Sequence, residues 1–280
     1  MNALNTDPAA SPAPPDLAAV KRRQQATWSS GDYHMIGTQI QIVSELLIEA
    51  LDVHATERVL DVATGSGNAA LAAARRGCSV VGVDYVPALL ERARRRRDAE
   101  GLDAEFIEGD AEDLPFPDGE FDVVASVFGA MFAPDQERAA AELVRATKRG
   151  GRIGLAAWTP DGFIGQFFKT NARHVPPPAG VRSPIQWGTA ERLQELFADS
   201  AADIRVARRE YTFRARTPED WIESFRRWYG PTLKSFEAVG DDGREALETD
   251  LVALIGSFNR ATDGTVVAPS EYLEAVIVKR

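Results

Sequence analysis

The chain has 280 residues, 44% of them hydrophobic and 26% charged, enough to bury the core of an α/β domain with an insertion. A formal net charge of −10 argues against a nucleic-acid partner, because phosphate backbones select for excess Lys and Arg. The single cysteine, Cys78, excludes an intrachain disulfide, and no run reaches the length of a membrane span or secretion core, so a cytoplasmic protein off the membrane is expected.

Residues 1–16 are rich in Ala and Pro with little to bury, and predict a disordered tail. Segments 18–29 and 38–51 read as helices joined by the loop Gly31-Asp32-Tyr33-His34-Met35-Ile36-Gly37. Strands then alternate with helices: strands at 58–62, 79–83, 104–108, 121–126 and 151–157, helices at 69–76, 87–100 and 135–148. This alternation predicts a parallel sheet with right-handed crossovers. On helix 87–100, Arg92 and Arg94 to Arg97 interleave with acids and read as a solvated face. A helix at 189–199, a strand near 204–214 and a last strand at 272–279 close the chain, without an internal repeat.

The run Val59-Leu60-Asp61-Val62-Ala63-Thr64-Gly65-Ser66-Gly67-Asn68 joins a buried strand to a helix through a glycine turn. Gly65 and Gly67 permit a tight turn and close approach of a ligand, and Asn68 can cap the helix whose free amides face it. The next strand ends at Asp84, about twenty residues on, the spacing that sets a carboxylate on a ribose diol. Dinucleotide dehydrogenases share this arrangement. Asp61, placed before the glycines where it can meet a cationic ammonium, and the missing third glycine favour S-adenosylmethionine, which has no pyrophosphate.

On these residues the chain resembles the class I S-adenosylmethionine-dependent methyltransferases, in the ubiquinone/menaquinone-biosynthesis-like group of small-molecule enzymes. The resemblance runs from about Val59 to Trp158 and includes Gly109-Asp110-Ala111-Glu112-Asp113-Leu114-Pro115-Phe116, Phe121-Asp122-Val123-Val124-Ala125-Ser126 and Arg149-Gly150-Gly151-Arg152. It departs at Ala63, where the family often has a glycine, a substitution read as mild. The resemblance implies an α/β, Rossmann-like doubly wound sheet, mostly parallel with an antiparallel last strand, plus a helical lid. It also implies that Asp61, Gly65 and Gly67 hold the methionine end, and that Asp84 takes the ribose hydroxyls. Tyr85 and Val86 would flank adenine, Asp110 and Ala111 would read its edge, and the Ser126 carbonyl would approach the methionine amine.

Residues 17–57 would then cover the cofactor site of a core at 58–160. Two stretches lie outside that core. Segment 161–188 is rich in aromatics and Pro, and within 189–280 an insertion at about 217–261 reads as helices opened by Thr217-Pro218-Glu219-Asp220. Most of their apolar side chains should pack on the sheet, while some line a pocket beyond the strand ends. Tyr33, Met131, Phe132, Phe167, Trp187 and Trp228 are the expected pocket residues for a small apolar or aromatic acceptor.

Methyl transfer needs proximity and dryness, and a base only where the acceptor must lose a proton. Of the three histidines, His54 reads as a surface residue, whereas His34 and His174 are the candidate bases. Many relatives carry a histidine in the loop after the fourth strand; this chain has Phe132 at about that place. Histidine and cysteine spacing suggests no metal site; of the acid cluster Asp110, Glu112 and Asp113, Asp110 is better used on adenine and the other two read as solvated turn acids. The sequence leaves open an NAD(P)-dependent oxidoreductase on the same glycine loop, a non-catalytic S-adenosylmethionine-binding protein, and a monomer or homodimer.

Overall fold

The structure, a computed structural model, describes residues 16–280, so the expected tail lies outside the described residues except for Asp16. Asp16 caps the first helix, α1 (Leu17–Trp28), by accepting from the Ala19 amide. The connection expected as a loop carries a one-turn helix, α2 (His34–Gly37), and the second predicted helix is shortened to α3 (Gln41–Ala50).

Five strands then form the parallel half of the sheet: β1 (Arg58–Val62), β2 (Ser79–Asp84), β3 (Ala104–Glu108), β4 (Phe121–Val127) and β5 (Thr147–Trp158). Between them run α4 (Asn68–Arg75), α5 (Pro87–Glu100) and α6 (Gln136–Ala146). Five of the eight residues of helix α4 are alanine, and residues 69–74 are all buried. Small side chains bring it close to the sheet, which sets the glycine turn tightly against β1. The α5 arginines are not simply solvated: Arg94 and Arg97 donate to the carbonyls of Phe106 and Ala104, and Arg96 to that of Ser66.

Beyond β5 come α7 (Phe163–His174), α8 (Ala190–Phe197), β6 (Ala201–Ala215), α9 (Pro218–Trp228), α10 (Gly230–Phe258, kinked at Gly240) and β7 (Val266–Lys279). The sheet order is β3-β2-β1-β4-β5-β7-β6, with β7 antiparallel to both neighbours. The outer strands run several residues longer than expected because β6 is an exposed, Arg-rich edge whose polar residues hide its alternation. One core lies between the sheet and α3, α4 and α5; the other joins the opposite face to α6, α7, α9 and α10. All the parallel strands therefore end at one edge, where the loops and the helical insertion meet.

Candidate functional site

Two buried carboxylates organise the turn after β1. Asp61 Oδ2 accepts from Thr64 Oγ1 at 2.6 Å and from the Ala70 amide at 2.9 Å, tying the loop to the first turn of α4. Asp84 accepts from the Gly65 amide at 2.8 Å and the Val86 amide at 2.9 Å, joining the β1 loop to the β2 loop. Burial pushes Asp84 up to about 6 and Asp61 up to about 7, against the pull of these hydrogen bonds. Both acids touch the cavity while holding its wall.

The glycines divide their roles. Gly65, at φ +55°, lies under the Tyr33 ring, which would stand 3.6 Å from an added Cβ. Gly67, at φ +87°, lies off the cavity wall, because its missing Cβ makes room for Ala93 and Phe106 at 3.1 Å. The expectation that Gly67 holds a ligand is thus replaced by a packing role. Ala63 sits at φ +53°, so its substitution for glycine stores strain of about 1 kcal/mol. Gly129 accommodates it, since a Cβ there would stand 2.7 Å from the Ala63 methyl.

The cleft beyond the loop is lined by Tyr85, Val86, Leu89, Ala111 and Pro134, with Asp84 and Asp110 at its polar edge. Gly109 has no space for a Cβ against Val83, at 2.6 Å, so the Asp110 turn runs tight over β2. Flat apolar walls with a strand-end carboxylate suit a nucleoside, and Asp84 keeps acceptor capacity beyond its two amide bonds. Ser126 is not on this wall: its hydroxyl donates to the Val62 carbonyl and accepts from the Ala130 amide, fastening β4 to β1. Val127 and Phe128 line the methionine side instead.

Helix α1 adds a residue that the sequence reading missed. Lys21 Nζ reaches Asp110 at 2.6 Å and Glu112 at 2.5 Å, placing a cation at the Asp110 end of the cleft. Gln25 Nε2 also donates to the Tyr85 carbonyl. The available signal was helical spacing: Val20, Gln24, Thr27 and Trp28 recur on one face of α1 and line the cavities.

A second chamber of about 530 Å³ adjoins the cleft, and the two share Gln24, Trp28 and Phe132. Met131, Phe132 and Phe167 line this chamber, together with Phe168 and Tyr229. Trp28 forms the joint, packing edge-on against Tyr33, Phe132 and Tyr229 at 5.0–5.5 Å between ring centres. Trp187 is a correction: it is 1% exposed, packs on Phe197, and belongs to the core. Trp228 is another, for it turns to the outer groove beside Tyr211, with the Arg227 guanidinium 4.4 Å above its ring. Its neighbour Tyr229 faces inward.

Neither candidate base reaches a cavity. His34 faces α5, where burial and the charges of Arg96 and Arg92 lower its pKa. His174 ends α7 with Nε2 2.8 Å from Asp250 Oδ2 on α10, off the chamber wall. Tyr33 and Tyr229 do face the joint, but burial raises both hydroxyls far above the ordinary tyrosine value. They stay protonated at neutral pH.

Comparison with known proteins agrees with this geometry. Residues 60–155 match the methyltransferase domain family. The chain is 36% identical to the uncharacterized protein Rv1405c of Mycobacterium tuberculosis over 269 residues, covering 94% of this chain and 96% of that one. It is 40% identical over 182 residues to the demethylmenaquinone methyltransferase of Deinococcus radiodurans, covering 59% of this chain and 74% of the relative. Among solved structures, the YcgJ protein of Bacillus subtilis superposes with a TM-score of 0.58 at 22% identity, over 85% of this chain and 98% of that one.

Proposed function

The chain belongs to the class I S-adenosylmethionine-dependent methyltransferases of the ubiquinone/menaquinone-like group, and on that premise we propose that its acceptor is a small apolar or aromatic metabolite. The observation that carries this reading is the second chamber, walled by Val20, Met131, Phe132, Phe167, Phe168 and Ile185 and joined to the cofactor cleft at Trp28. Such a lining gains from apolar contact and excludes water from the transfer.

When bound, S-adenosylmethionine supplies the electrophilic methyl group. In this reading Asp84 holds the ribose and Val86 and Leu89 bear on adenine, next to the Ala111 backbone. Asp110 shares its carboxylate between Lys21 and the adenine edge. Asp61 keeps the Thr64–Ala70 turn in place under the methionine end. Tyr33 and Trp28 press on the reacting region and dry it.

The chamber wall holds no His, Asp or Glu among the described residues, and the buried tyrosines remain protonated. An acceptor here brings its own nucleophile, such as an enolised carbon, a thiolate, an amine or an acidic phenol. Calorimetric titration with S-adenosylmethionine, S-adenosylhomocysteine and NAD, followed by methyl transfer to neutral and aromatic acceptors, tests the reading. Micromolar binding of the first two with turnover on apolar acceptors is expected. Turnover confined to small hydrophilic acceptors would overturn it.

A further inference from the structure

The chamber has a charge opposite to that of the molecule around it. The chain carries 42 acids against 32 Lys and Arg, yet the described chamber wall has no carboxylate and three cations: Arg23 on α1, Lys169 on α7 and Arg182 in the loop after it. Their existing partners are loose. Arg182 lies 3.4 Å from Glu137, and Lys169 lies 3.7 Å from Asp161, whose side chain is 91% exposed. Arg23 makes no ion pair among the described residues. A cavity lined by one sign of charge concentrates ligands of the other sign.

The three cations line the chamber and not the cofactor cleft.

We infer that the acceptor is an amphipathic anion: an apolar or aromatic body bearing a carboxylate that faces Arg23, Lys169 and Arg182. The inference rests on the methyltransferase reading and narrows it. The residues common to chamber and cleft, Gln24, Trp28 and Phe132, are uncharged, so the atom that receives the methyl group lies at the aromatic end and the carboxylate at the other.

The test uses the full chain saturated with S-adenosylhomocysteine and three probes of one shape: 2-naphthoate, 2-naphthamide and 2-naphthylmethylamine, titrated by calorimetry. The acid should bind about tenfold tighter than the amide, as expected of half-exposed ion pairs acting together, and the amine weakest. Raising the salt to about 0.5 M should shrink the preference. The triple variant Arg23→Gln/Lys169→Gln/Arg182→Gln should level the three affinities while leaving that for S-adenosylhomocysteine unchanged. Equal affinity for acid and amide, no binding by any probe, or a preference that survives the triple variant would each overturn the inference. Failure of S-adenosylhomocysteine to bind would instead overturn the cofactor reading, and the probes titrated without it still decide the charge preference.

Discussion

The cofactor half of the cavity and the acceptor half are built by different means. Around the cofactor, carboxylates clamp short-range donors: Asp61 the Thr64 hydroxyl and the Ala70 amide, Asp84 the Val86 amide and that of Gly65, 19 residues away. Around the acceptor, rings from distant segments lean on one another, Trp28 on Phe132 and Tyr229, and Phe167 on Trp221 and Phe225. The first half is directional and intolerant of polar loss. The second is non-directional, so it can change its occupant by exchanging volume while keeping the fold.

The sharpest way to break this contrast is Asp84→Ala. Removing one acid strips the ribose of its acceptor and frees two amides, so cofactor affinity should fall by about 1–3 kcal/mol while the acceptor chamber keeps its shape. An affinity unchanged by calorimetry would remove Asp84 from the site. Asp61→Ala should act on stability instead, costing about 2 kcal/mol by urea denaturation, because Thr64 and the Ala70 amide lose their buried acceptor.

Acidity probes the same clamp. Both folded carboxyls sit above the ordinary aspartate value of 3.8, at about 6 and about 7. Between about pH 4 and 7 the folded chain thus holds more protons than the unfolded one, and stability falls as pH rises across that window. A cationic cofactor favours the ionised carboxyls, so its affinity should climb by about tenfold between pH 5 and 7 as Asp84 ionises and rise further above pH 7 as Asp61 follows. A flat calorimetric profile would contradict the assignment of these acids to the cofactor.

Smaller changes sharpen the picture. Ala63→Gly should relieve the left-handed strain and raise stability by about 1 kcal/mol in thermal unfolding, less the entropy of the added glycine. His34→Ala and His174→Ala should each leave turnover within about twofold, since neither ring reaches a cavity. A hundredfold loss in either variant would restore that histidine as the base.

The halves also differ in how much of each could be read in the amino-acid order. Strand β1, the glycine turn and Asp84 are contiguous signals, because a turn and the amides it exposes are local properties of the chain. The fold class and the parallel strands were legible for that reason, and so was the placing of Asp61 and Asp84 at the strand ends beside the turn. Gly67 was misread because a positive φ looks the same whether it serves a ligand or, as here, the ring of Phe106.

The chamber resisted reading because helix orientation is settled by partners far away. Trp221, Phe225, Trp228 and Tyr229 share one apolar period, yet packing against β6 and α10 buries Trp221 and Phe225, turns Tyr229 inward and leaves Trp228 in the outer groove. The same holds for His174, whose partner Asp250 lies 76 residues on. Lys21 was invisible as a site residue for a similar reason, since its two acids sit beyond β3.

That lysine also bears on time. With Gln25 on the Tyr85 carbonyl and Asp32 on Arg92, it makes α1 and the turn after it a latch beside the cleft, held by charges in partial contact with water. On the proposed reading a nucleoside leaving the cleft parts those contacts, and its residence is governed by how often the latch breathes. Screening by salt loosens the latch directly, and product exchange should quicken with ionic strength even where affinity barely moves.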